Sequence, residues 1–114
     1  MEQNFSYTPN NIKHSDEPLY QGFGTIAKDE TKGPYNALTP LMLDTENSKL
    51  KLWNGTAGTA VVITVFDVSN AASDVDATFY KSGALKASAL NWPEDVTDEQ
   101  KKVAFIGSPI SVFL

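Results

Sequence analysis

Apolar positions are distributed in two regimes along this chain. Beyond about Leu38 they gather into short runs divided by polar turns; before it they are scattered. Leu41-Met42-Leu43 followed by Asp44, Glu46, Asn47 and Ser48 predicts a strand and a turn. Leu50, Leu52 and Trp53 predict a second strand, ended by Asn54-Gly55, a dipeptide suited to turns that need positive φ. Gly58 permits another bend. The β-branched run Val61-Val62-Ile63-Thr64-Val65-Phe66 is almost wholly apolar and reads as the central buried strand. Polar residues from Ser69 to Asp76 predict a loop, Thr78-Phe79-Tyr80 a strand and Ser82-Gly83 a turn. The segment from Ala84 to Leu90 has helix-favouring alanines, but it is short and follows a hairpin signal, so a strand is expected. Thr97-Asp98-Glu99-Gln100 is a capping box with acidic residues at the helix N-terminus. Lys101 and Lys102 follow, Val103 with Ala104 or Phe105 would face the core, and Gly107 is placed to end the helix. Ile110, Val112 and Leu114 alternate as in a final strand. The expected fold class is mainly β with one short helix; period and turns leave sandwich, barrel and clip undecided.

From Met1 to about Ala37, Pro9, Pro18, Gly22, Gly24, Gly33 and Pro34 interrupt any period. Too little apolar surface is available there to offset the entropy of ordering, so the expectation is a flexible N-terminal arm, 1–37, before a compact β-rich body, 38–114. The arm is not featureless. Phe5 and Tyr7 alternate as in a strand, with Pro9 as a stop, and Ile12, Leu19, Tyr20, Phe23 and Ile26 are further apolar anchors. An extended segment of this kind can add itself to an exposed sheet edge, Phe5 and Tyr7 on one side and Ser6 and Thr8 on the other.

Composition narrows the classes. The chain has 114 residues, 41% of them hydrophobic, which allows one domain. A core drawn from roughly 75 residues is marginal alone and invites oligomerisation. Cysteine is absent, which removes disulfides, thiolate nucleophiles and thiolate metal sites. No apolar run approaches the ~20 residues of a membrane span. Met1-Glu2-Gln3-Asn4-Phe5 lacks the basic and apolar regions of a signal peptide, so synthesis in the cytoplasm is expected. The formal net charge of -5 disfavours direct nucleic-acid binding.

Candidate chemistry is sparse. His14 is the only histidine and falls in the arm, where nothing rigid would position it as a base. The serines lack a Gly-x-Ser-x-Gly setting. Asp67, Asp74 and Asp76 could suggest a hard cation, but no closing acid follows, and a hydrated loop is the better reading. Glu94, Asp95, Asp98 and Glu99 cluster, yet helix capping accounts for Asp98 and Glu99. Gly22-Phe23-Gly24 is too short for a dinucleotide loop. Lys49 and Lys51 beside Trp53 imitate a base-stacking platform, which Lys81 and Lys86 do not extend. Asn4-Phe5-Ser6 and Asn54-Gly55-Thr56 match the glycosylation sequon, idle outside a secretory pathway. Trp53 and Trp92 suit core or subunit contact, with core favoured. No catalytic residue, metal site or cofactor is expected, and the chain does not read as an enzyme.

One ordered series adds to this. Thr39-Pro40-Leu41-Met42-Leu43-Asp44-Thr45 is followed by Lys49-Leu50, Trp53, Gly55-Thr56, Thr78-Phe79-Tyr80-Lys81-Ser82-Gly83, Trp92-Pro93-Glu94, Lys101-Lys102 and Ala104-Phe105. From Thr39 onward it closely resembles the head decoration, or head-stabilising, proteins of lambdoid phages. The resemblance implies a β-clip-like fold and a homotrimer, without catalysis. It places that trimer at three-fold positions outside an expanded phage head, stabilising it against internal DNA pressure. It also implies an arm that pairs with the major capsid protein. The family's arm pattern of Phe, Tyr and Pro is similar to Phe5, Tyr7 and Pro9, and Ser15-Asp16 and Pro18 match with Glu17 as an insertion. The capsid-binding residues expected are Phe5, Ser6, Tyr7, Thr8, Pro9 and Ile12. A trimeric adhesin or receptor-binding module displayed on a virion is the alternative.

Overall fold

The computed structural model describes residues 19–114. Six strands and one helix follow in order: β1 (Tyr20–Ile26), β2 (Pro40–Asp44), β3 (Lys49–Leu52), β4 (Ala60–Thr64), β5 (Val75–Lys86), α1 (Asp98–Val103) and β6 (Ile110–Phe113). Mainly β with one short helix is the class the pattern predicted.

The strands form one mixed sheet in the order β1-β3-β2-β4-β5-β6, and β1 also pairs with β5. The first five therefore close into a ring. Its closure is narrow: β1 runs antiparallel to β5 along its whole length but meets β3 only at Ile26 opposite Leu50. Past Ser82, β5 leaves β1 and takes β6 as a parallel neighbour.

Local chemistry explains the β2–β3 hairpin. Asp44 sits opposite Lys49. Between them the Asp44 carboxylate accepts the Glu46 N–H (3.0 Å), and the Asn47 side chain accepts the Lys49 N–H (3.1 Å). Both are side-chain-to-backbone bonds of the kind that make Asp and Asn turn residues.

Strand β4 divides the interior. Val62 joins one buried cluster with Ile26, Tyr35, Leu41, Leu50 and Val68. Its neighbour Ile63 joins the other, with Trp53, Tyr80, Leu85, Leu90, Phe105 and Ile110. Successive side chains of a strand point to opposite faces, so both faces of β4 are core, as its apolar run requires. The helix has the capping box expected: the Thr97 hydroxyl accepts the Gln100 N–H, and the Gln100 side chain accepts the Thr97 N–H. No residue of α1 itself is fully buried; Ala104 and Phe105, just beyond, seat it against the core.

The structure departs from the expected boundaries in several places. Tyr20–Ile26, expected in the arm, is a strand, and Ile26 and Tyr35 are core; the body begins well before Leu38. Ser82-Gly83 does not turn the chain, because Gly83 (φ +129°) lets β5 continue while it changes partner. Glycine within a strand often marks such a change of course. Val75 and Asp76 belong to β5 and not to the loop before it, and only Ala84–Lys86 of the alanine-rich segment is strand, with Ala87–Ala89 a single 3₁₀ turn. Strand β4 stops at Thr64, leaving Phe66 exposed, and β6 stops one residue short of Leu114.

Candidate functional site

The arm positions Phe5, Ser6, Tyr7, Thr8, Pro9 and Ile12 lie outside the described residues, as does His14. The remaining candidates are placed, and most have structural duties. Asp67, Asp74 and Asp76 do not converge. Asp67 accepts the Ala37 N–H (2.7 Å), Asp76 accepts the Thr25 hydroxyl (2.7 Å), and Asp74 accepts the Lys28 N–H while pairing with Lys49. Those bonds from Lys49 and the Lys28 N–H hold the Asp74 carboxyl below its ordinary pKa. Among the described residues no three potential ligands gather as a metal ion would need.

Asp98 and Glu99 pair with Lys101 (3.7 Å) and Lys102 (3.2 Å) one helical turn on. Gly22 and Gly24 make no phosphate loop: a Cβ on either would meet the Phe79 ring, at 2.7 and 3.1 Å. Lys49 is engaged with Asp74, which removes it from any base-stacking platform. Trp53 is core, 1% exposed, and its indole N–H donates to the Thr56 carbonyl. Trp92 is half-buried, packed edge-on to Trp53 (ring centroids 5.6 Å apart), with its indole N–H donated to the Ala87 carbonyl.

A polar cluster that sequence reasoning missed centres on Tyr35. Its hydroxyl donates to Asp29 (2.7 Å) and accepts the Leu52 N–H (3.2 Å). The side chain of Asn70, fully buried, accepts the Tyr35 N–H (3.2 Å) and donates to the Ala27 carbonyl (2.9 Å). Burial, then the bond to Asp29, pushes the Tyr35 phenol up to about 12. Burial alone would raise the Asp29 carboxyl, but bonds from the Lys32 N–H, the Tyr35 hydroxyl and the Thr31 N–H outweigh it and hold that carboxyl low. Only spacing could have signalled this cluster, and its members stand up to 43 residues apart.

Two adjoining open grooves, of about 310 and 470 Å³, share Lys32, Leu52, Pro93 and Glu94. The outer surface carries large apolar side chains, among them Tyr20, Phe23 (69% exposed), Phe66 and Ile106. No helix among the described residues is long and apolar enough to cross a membrane. The acids that resembled a metal loop are spent on internal bonds, and large apolar side chains stand on the outside of this β-rich module.

The comparisons give that module its family. The family described as Bacteriophage lambda head decoration protein D matches residues 3–111. The chain is 44% identical over 79 residues to the head decoration protein of Enterobacteria phage P21, covering 68% of this chain and 67% of that protein. A protein of Escherichia phage N15 with a provisional decoration-protein name is 35% identical over 100 residues, 84% of each chain. The chain belongs to the lambda head decoration protein D family: it is a structural protein of a phage head, located on the virion capsid, and not an enzyme.

Proposed function

We propose that the protein binds as a homotrimer at three-fold positions outside an expanded phage head, and that residues 1–18 pair with the major capsid protein. Membership of the decoration family is the observation that carries this reading. The family match reaches back to residue 3, so it takes in the Phe5–Pro9 pattern. Fully extended, 18 residues reach at most ~60 Å, farther than the body's longest dimension of 40 Å. An arm of that reach can contact a neighbour beyond the body's own footprint.

Ordering one such segment on binding costs ~2–5 kcal/mol. Three linked arms offset that cost, because once one is bound the others act at high effective concentration, with avidity gains of ~10²–10⁴. A ligand that binds only the assembled shell raises the free energy of disassembly, by ~2.7 kcal/mol per site at 100 times Kd.

Co-sedimentation with expanded empty capsids tests the reading. The deletion should stop before Leu19, because removing β1 would unmake the ring. Loss of binding on deleting residues 1–18, or in a Phe5→Ala/Tyr7→Ala double variant, is expected. Undiminished binding by both refutes the role of the arm, and a monomer on the capsid-bound surface refutes the trimer.

A further inference from the structure

The turn after β3 contains a dipeptide whose reactivity the decoration role does not use. Asn54 is exposed, directly follows buried Trp53, and precedes Gly55. Its side-chain oxygen accepts the Thr56 N–H (3.0 Å). We propose that Asn54-Gly55 is a self-modification site, at which the folded protein converts Asn54 through a cyclic imide to aspartate and isoaspartate.

The step balances without an outside oxidant or cofactor. The Gly55 amide nitrogen gives up its proton and attacks the Asn54 side-chain carbon. The new N–C bond closes a five-membered ring, the bond to the side-chain nitrogen breaks, and ammonia leaves with the proton. Water then opens either carbonyl of the ring. Glycine is the residue that least obstructs this approach, having no Cβ. The Thr56 N–H already points at the oxygen on which negative charge develops during attack, a preorganised donor of the kind that stabilises such intermediates. Asparagine is also among the thermolabile residues.

The two products differ in consequence. Ordinary aspartate keeps an acceptor for the Thr56 N–H. Isoaspartate lengthens the main chain by one methylene and so displaces the Gly55 carbonyl. That carbonyl accepts from the Gln100 side chain (3.3 Å), whose oxygen completes the helix cap at Thr97. The modification therefore reaches the N-terminus of α1.

Two other asparagines serve as internal controls. Asn47 is exposed and has the same turn bond, to the Lys49 N–H, but is followed by Ser48, whose side chain hinders attack. Asn70 is fully buried. Native full-length protein, incubated in mildly alkaline buffer, is digested and mapped by mass spectrometry, with isoaspartyl methyltransferase labelling. The expected result is progressive amide loss and label at position 54, faster at higher pH, with the Asn47 and Asn70 amides kept and Asn54→Gln unlabelled there. An Asn54 amide as durable as that of Asn47, or lost only in protein unfolded by urea, overturns the proposal.

Discussion

Replacing Tyr35 by Phe removes one oxygen and leaves the ring, so it isolates the polar cluster from the packing around it. Two bonds disappear: the donation to Asp29 at 2.7 Å and the acceptance from the Leu52 N–H at 3.2 Å. Hydrogen bonds to a charged group contribute ~1.5–3 kcal/mol and an orphaned buried donor costs ~1–3 kcal/mol. Asp29 is only half-buried and Leu52 lines an open groove, so water recovers part of both terms. The expected loss is about 2 kcal/mol, which for a domain of this size lowers Tm by about 8–16 °C.

The same variant has a pH signature. The phenol is raised from 10.0 to about 12 in the folded protein, which therefore holds this proton more firmly than the unfolded chain does. Its contribution is complete below pH 10 and is lost as pH rises through about 12. Urea unfolding followed by tryptophan fluorescence at neutral pH and again across that window reads both effects. The gap between wild type and Tyr35→Phe should be widest at neutral pH and narrow above 10. A neutral-pH difference under about 0.5 kcal/mol, the size of an ordinary surface substitution, would refute the reasoning.

Three further outcomes can be checked by the same unfolding assay. Gly33→Ala should destabilise by ~1–3 kcal/mol, because its Cβ would lie 2.6 Å from the Asp29 carbonyl oxygen and 3.1 Å from backbone atoms of Ala71, none of which can rotate away. Leu85→Ala, at a position with no exposed surface, should cost ~2–5 kcal/mol through the cavity it leaves. Acid should also destabilise: the Asp29 and Asp74 carboxyls are held below 3.8, so their contribution is present above that pH and lost as pH falls through their lower folded values. Asp29→Asn should flatten that acid limb.

Features set by neighbours in sequence were legible. The capping box spans four residues, and the β2–β3 turn is tied by bonds two residues apart. Strand β4 announced itself because an apolar β-branched run has few other uses. Strand β1 did not, since Gly22 and Gly24 depress its apparent strand character. Their missing side chains are supplied by the Phe79 ring, more than fifty residues away. Gly83 misled for a related reason. Its positive φ serves a strand changing partners, and a local reading of Ser-Gly sees only a turn. The family was recognisable because the order and spacing of many residues carried it; no single residue did.

The misplaced boundary at Leu38 has one physical origin. Residues 25–37 and 67–76 both look like polar loop, and each is the other's partner. Thr25 meets Asp76, the Lys28 N–H meets Asp74, Ala27 and Tyr35 meet Asn70, and the Ala37 N–H meets Asp67. Two backbone bonds between Tyr35 and Val68, 2.8 and 3.0 Å, complete the seam. Polar bonds from side chains and backbone alike hold it, so hydrophobic periodicity cannot report it. The acids that looked like a metal loop are the same groups, and their work in the seam accounts for their clustering in sequence. A chain segment can thus be poor in apolar residues and still belong to the body, provided that a second polar segment supplies its acceptors.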